Sequence, residues 1–290
     1  MQKVYFTKEI TSESLIKIYE ALGSELKGNI AVKISTGEPG GHNFLSPDLI
    51  KDLVQKLNGT IVECNTAYAG RRNTTEAHLQ TVKDHGFTAI ANVDIMDSTG
   101  DMEILVVGGK HIKVNYVGKN LQTYDSMLML SHFKGHAMGG FGGALKNMSI
   151  GVCSASGKTW LHSAGKVKDP AVIWKNTAPQ DDFLESMAEA DKSVIDYMKG
   201  NILYINVVNN LSVDCDCDSN PEEPCMKDIG ILSSTDPVAL DKACLDLIYK
   251  STDPGRDHMI ERIETRNGAH TVDYAEQIGV GSKEYELIEI

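Results

Sequence analysis

Hydrophobic positions in the first hundred residues switch repeatedly between two periods. Short runs rich in β-branched residues, VYFT (4–7), NIAVKIS (29–35), TIVECN (60–65) and TAIANVDI (88–95), read as strands. Between them, SESLIKIYEALGSEL (12–26) and SPDLIKDLVQKLNG (46–59) carry apolar residues at helical spacing, and each opens on a serine that can cap a helix. The second also has Pro47 where a first helical turn tolerates proline. TTEAHLQTVKDHGF (74–87) predicts a third helix closed by Gly86, and EILVVGG and HIKVNYVG predict a strand pair broken at Gly108 and Gly109. Strands alternating with helices imply crossover connections and a mainly parallel sheet.

The pattern changes near residue 125. From Ser131 to about Gly165 the chain is rich in Gly, His, Lys and Ser, with short apolar runs: MLML just before it and SIGVCS, read as a strand, inside it. Helix and strand patterns then return: FLESMAEADKSVIDYMKG as helix, ILYINVVNNL and DIGILSS as strands, DPVALDKACLDLIYKS as a capped helix. These features predict an α/β protein of two lobes with mainly parallel sheets, 1–125 and 126–290, and a Gly-rich active-site segment in the cleft between them. A single integrated domain is the alternative.

Composition narrows the function. A net charge of −12 across 290 residues argues against nucleic acid as a partner, since phosphate backbones demand a dense cationic face. No apolar run is long enough to span a membrane, and MQKVYFTKEITSES lacks the apolar core of a secretory signal, so a cytoplasmic protein is expected. Six cysteines are too sparse for a disulfide framework and point to metal or redox chemistry.

Four stretches carry candidate chemistry. SHFKGHAMGGFGGALKN (131–147) supplies His132 and His136 as proton carriers and Lys146 as an amine nucleophile. Its glycines, Gly142 and Gly143 among them, would let backbone approach a ligand beside Asn147. Lys134 and Lys146 make it the best place for a small anionic ligand. GVCSASGKT (151–159) looks like a phosphate loop but has five residues between Gly151 and Gly157 where the nucleotide-binding pattern has four; Lys158 remains a candidate ligand contact. DCDCDSNPEEPC (214–225) clusters Cys215, Cys217 and Cys225, whose thiolates suit a soft metal; a metal-free acidic loop is equally consistent. TAYAGRRNTTEAH (66–78) sets Arg71 and Arg72 before a helix start, either an anion site or exposed arginines on a turn.

Taken together, NTAYAGRRNTTEAH, SHFKGHAMGGFGGALKN, GVCSASGKTWLHS, DCDCDSNPEEP and DIGILSSTDPVALDKAC resemble the domain-of-unknown-function family numbered 362. Many members carry an inserted ferredoxin-like segment with two sets of four cysteines; the matching interval here, SAGKVKDPAVIWKNTAPQDD, has no cysteine, so no ferredoxin-type cluster pair is expected. A shorter stretch, HAMGGFGGALK, is similar to a segment of the nickel-pincer lactate racemase family. There a lysine follows a histidine by ten residues and a nickel-binding histidine follows the lysine by sixteen, as His136, Lys146 and His162 do here. That resemblance implies Lys146 as the anchor of a nucleotide-derived cofactor, His162 as a metal ligand and His136 as a general base. The second catalytic histidine of that family has no counterpart, and His132 or His111 would have to substitute.

The resulting expectation is a metal-dependent enzyme (nickel, iron or zinc) that acts on a small organic anion by proton or hydride transfer. The alternative is an iron–sulfur or zinc accessory protein that uses the Cys-rich loop and meets a redox partner protein.

Overall fold

The computed structural model describes residues 1–290. In chain order the first half comprises β1 (Gln2–Thr7), α1 (Ser12–Glu20), β2 (Ile30–Lys33), α2 (Pro47–Lys56), β3 (Thr60–Glu63), α3 (Thr75–Asp84), β4 (Val93–Ile95), β5 (Asp101–Leu105) and β6 (Val114–Gly118). The second half comprises β7 (Ser126–His132), β8 (Lys134–His136), β9 (Gly140–Gly142), α4 (Ala144–Val152), α5 (Ala155–His162), α6 (Gln180–Tyr197), β10 (Ile202–Val208), β11 (Gly230–Ser234), α7 (Pro237–Lys250), α8 (Arg256–Thr265), α9 (His270–Gln277) and β12 (Tyr285–Glu289).

Eight strands form one mainly parallel sheet in the order β12-β1-β11-β10-β7-β2-β3-β4. Only the pairings of β11 with β1 and with β10 are antiparallel. The sheet runs across residue 125 without a break: β7 pairs in parallel with β2 on one side and β10 on the other. β5 and β6 form a separate antiparallel pair, and no helix is long and apolar enough to cross a membrane.

Strand periodicity divides the core between the two faces of the sheet. Val32, Leu128, Leu130 and Ile205 pack on one face with Leu15 and Ile18 of α1 and Ile50 and Leu53 of α2. Ala31, Met127, Met129 and Tyr204 pack on the other face with Leu145 of α4, Val194 of α6 and Leu240 of α7. Each fully buried aliphatic side chain contributes roughly 1.5–3 kcal/mol, and a one-residue slip of β7 would exchange its two sets. Helix starts follow local chemistry. Ser46 accepts from the Leu49 amide as anticipated, but α1 is capped by Thr11, one residue before the serine, through the Ser14 amide. Gly86 closes α3 with φ +86°.

Two strand assignments fail. SIGVCS lies mostly in α4, because Asp241 caps the amides of Ala144 and Leu145 at 2.8 and 3.0 Å and starts a helix where the Gly-rich run ends. TAIANVDI yields only the three-residue β4, after a 3-10 turn over Phe87–Ala89.

The chain winds from β2 through β3 to β4 on one side and from β7 to β10 on the other. The order therefore reverses between β2 and β7, and a crevice opens at their carboxyl ends, the usual ligand position in an open α/β sheet. Lys33, Glu63 and His132 end β2, β3 and β7 there.

Candidate functional site

That crevice holds a cavity of about 320 Å³. Every candidate catalytic, binding or metal-ligating residue of the sequence analysis lines it except Arg71, His111 and Cys225. Five cations, Lys33, Arg72, Lys134, Lys146 and Lys158, face it against one carboxylate, Glu63. In a chain of net charge −12 this is a strong local inversion of sign.

Three of the cations are neutralised by neighbouring acids. Lys33 Nζ lies 3.2 Å from Glu63 Oε2 and 3.0 Å from Asn147 Oδ1. Burial is the main force lowering the Lys33 pKa. The same burial would raise Glu63, but Lys33 and Arg72 outweigh it and hold that carboxyl at about 2. Arg72 bonds Glu38 at 2.6 Å and approaches Glu63 at 3.5 Å, and Lys134 Nζ lies 3.0 Å from Asp216 Oδ2. The other two lysines have different partners: Lys146 Nζ sits 3.5 Å from Cys215 Sγ, and Lys158 Nζ donates to the Cys153 carbonyl at 2.6 Å.

The two arginines separate. Arg71 points outward to Asp84 at 3.3 Å, whereas Arg72 is buried and shared between two carboxylates. Neither reading, a joint anion site or two exposed arginines, holds for the pair as a whole: Arg71 is exposed, and only the second guanidinium turns inward. Asn147 is similarly committed, accepting from Lys33 Nζ and donating to the Lys33 carbonyl and to Ser131 Oγ. It ties α4 to β2 and β7.

Cys215 and Cys217 meet His136 in a cluster whose donor atoms all lie within 4.8 Å of one another. Cys217 Sγ is 3.8 Å from His136 Nε2. The hydrogen bond from Cys217 is the main force lowering the Cys215 pKa, helped by the charges of Lys146 and Lys134, so Cys215 is the more acidic thiol of the pair. The same contact raises Cys217. Cys225 is elsewhere, its thiol donating to the Leu211 carbonyl at 3.3 Å. The bridge between Leu211 and Met226 turns it away from the Cys-x-Cys pair, so the three thiols do not converge.

The three histidines differ in which nitrogen is free. His132 Nδ1 lies 2.7 Å from Asp216 Oδ1 and Nε2 lies 2.6 Å from the Asn209 carbonyl oxygen. Both ring nitrogens are thus engaged by the protein's own oxygens and neither is left for a substrate, which corrects its expected catalytic part. His136 Nδ1 accepts from the amides of Met138 and Gly139 at 3.2 and 2.8 Å, so the neutral ring carries its proton on Nε2. His162 Nδ1 donates to the Lys158 carbonyl at 2.7 Å, which leaves a lone pair on Nε2. Burial lowers both pKa values, that of His162 to about 4, so both rings are neutral near pH 7.

The glycines mostly admit the protein itself. β8 and β9 pair as a small hairpin, Lys134 opposite Gly142 and His136 opposite Gly140. A Cβ on Gly143 would fall 2.4 Å from Asp241 Oδ1, and one on Gly140 2.8 Å from Gly268 Cα. Within 131–147 only Gly142 looks toward the lysines, where a Cβ would lie 3.2 Å from Lys146 Cδ. The expectation that Gly143 serves ligand approach is corrected accordingly. The phosphate-loop likeness at 151–159 also ends here. Residues 155–162 form α5, whose first amides are taken by Asp97 and Ser154.

Lys33, Glu63, Tyr68 and Asp216 escaped sequence reasoning. For the first two a signal existed: a lone charge closing an otherwise apolar strand marks the functional edge of a parallel sheet. Asp216 stands between two cysteines in an acidic run, where nothing in the sequence sets it apart from Asp214 and Asp218.

Residues 30–246 match the domain-of-unknown-function family DUF362. The chain belongs to that family. No curated protein sequence matches this DUF362 chain. Among solved structures it is similar to the lactate racemase apoprotein from Thermoanaerobacterium thermosaccharolyticum, at 15% identity and a TM-score of 0.48, over 86% of this chain and 58% of that one. It is also similar to a structural-genomics target from Thermotoga maritima, at 11% identity and a TM-score of 0.44, over 92% of this chain and 58% of that one. The chain thus spans under two thirds of the length of either protein.

Proposed function

We propose that the cavity is the active site of a metal-dependent enzyme that moves a proton or hydride on a small organic anion. The observation that carries this reading is the convergence of two thiols and an imidazole, within 4.8 Å of one another, on a cavity whose lysines outnumber its acids. Soft thiolate and imidazole donors suit zinc, iron or nickel, and three protein ligands leave a position for substrate. A metal bound there would act as a Lewis acid on a substrate oxygen. Lys146 and Lys158 hold the anion by charge, and the buried walls exclude water. All six cysteines are free thiols, a state that a reducing cytoplasm maintains.

The ring nitrogens favour a second reading. His162 Nε2 has the lone pair a metal ligand needs, with its other nitrogen fixed by a carbonyl, whereas a metal on His136 Nε2 must displace a proton. In this reading His162 ligates, His136 carries the proton, and Lys146 is free to anchor a nucleotide-derived cofactor, the roles implied by the lactate racemase segment.

Metal content of protein purified anaerobically tests both. Loss of metal in Cys215→Ala but not His162→Ala supports the thiolate centre, and the reverse supports His162. Wild-type protein that holds no stoichiometric metal contradicts both.

A further inference from the structure

The cavity has two chemically distinct ends. The cationic end is deep: Lys33, Lys134 and Lys158 are 1%, 5% and 8% exposed. The other end is an aromatic and aliphatic wall made by Ile173, Trp174 and Phe183, around His162. His162 stacks on Phe183 with centroids 4.7 Å apart at 30°, and meets Trp174 edge-on at 6.4 Å and 81°. Trp174 itself is 59% exposed although it lines the cavity, which sets its indole at the mouth.

A two- or three-carbon acid has no group for this wall. From these two ends we infer that the ligand is a carboxylate carrying a planar aromatic ring, its head among the lysines and its ring against Trp174 and Phe183. This rests on the reading of the cavity as the active site and names the class of molecule it takes.

Two further observations fix the head group. Phosphate is usually held by several free amides at a helix N-terminus, but the Ala144 and Leu145 amides of α4 are taken by Asp241, and the Ala155 and Gly157 amides of α5 by Asp97 and Ser154. Lys33, Arg72 and Lys134 are matched by acids, while Lys146 and Lys158 have no carboxylate partner and Lys158 bonds a carbonyl. These two lysines suit a carboxylate, whose two oxygens can each accept a charge-assisted hydrogen bond. Rings stack on aromatic side chains in offset or edge-on arrangements, and such contacts add to simple burial.

The test compares phenylacetate with acetate by calorimetry on chelator-treated protein, so that its outcome is independent of whether a metal is bound. Phenylacetate is expected to bind at least tenfold more tightly than acetate. Trp174→Ala should remove most of that advantage without altering acetate binding, and Trp174→Phe should keep it. Lys158→Ala should weaken both compounds. Equal affinities, an unchanged preference in Trp174→Ala, or no binding of either compound overturns the inference. Trp174 lies at the surface, so the variants keep the fold, and an unchanged melting temperature verifies this.

Discussion

His136 and His162 face one cavity with opposite ring nitrogens available. The amides of Met138 and Gly139 force the His136 proton onto Nε2, whereas the Lys158 carbonyl forces the His162 proton onto Nδ1. One ring offers a proton and the other a lone pair. Both assignments follow from backbone groups that can act in only one direction, amides donating and carbonyls accepting.

The arginine pair should separate cleanly by stability. Arg72→Gln leaves Glu38 and Glu63 buried without their shared cation, which costs about 3–5 kcal/mol. Arg71→Gln breaks an exposed pair with Asp84 and should change stability by no more than about 0.5 kcal/mol. Denaturant titration of the two variants measures the difference; equal effects would refute the asymmetry.

Adjacent glycines should also behave differently. Gly143→Ala drives a methyl group into Asp241 and Phe133, and overpacking of this kind costs about 1–3 kcal/mol. Gly142→Ala meets only the flexible ends of the Lys146 and Lys134 chains, so it should fold normally and weaken anion binding by moving Lys146, the closer of the two. Thermal melts beside calorimetric titration with acetate separate the two outcomes.

The contrast between those glycines shows where sequence reading stops. Period-two and helical patterns revealed the β2–α2–β3–α3 order, because burial on one face leaves a mark at every second or fourth residue. The candidate site was legible as a list, since His136, Lys146, Lys158, His162, Cys215 and Cys217 all line the cavity. Their partners were not legible: whether Gly143 faces a ligand or Asp241, ninety-eight positions away, depends on tertiary packing. Cys225 reads like its neighbours Cys215 and Cys217, and only the turn that pairs Leu211 with Met226 removes it. The histidines' free nitrogens depend on backbone direction, which composition does not encode.

Stability should fall on mild acidification through His78. This imidazole is fully buried, Nδ1 lies 3.3 Å from Asn65 Oδ1, and burial above all lowers its pKa from 6.5 to about 3. Below pH 6.5 the unfolded chain takes up a proton that the folded chain refuses, so stability declines from about pH 6.5 down to about pH 3. Above pH 6.5 this contribution is flat. His78→Leu should remove it, seen as a shallower dependence of melting temperature on pH across that window. An unchanged slope would assign the acid sensitivity to other groups.

X-ray absorption at the metal edge of anaerobically purified protein tests the central claim most directly. A thiolate centre predicts sulfur scatterers at about 2.3 Å and nitrogen at about 2.0–2.1 Å, with the sulfur shell lost in the Cys215→Ala, Cys217→Ala double variant. A nitrogen and oxygen shell without sulfur, unchanged in that variant, would contradict the thiolate centre.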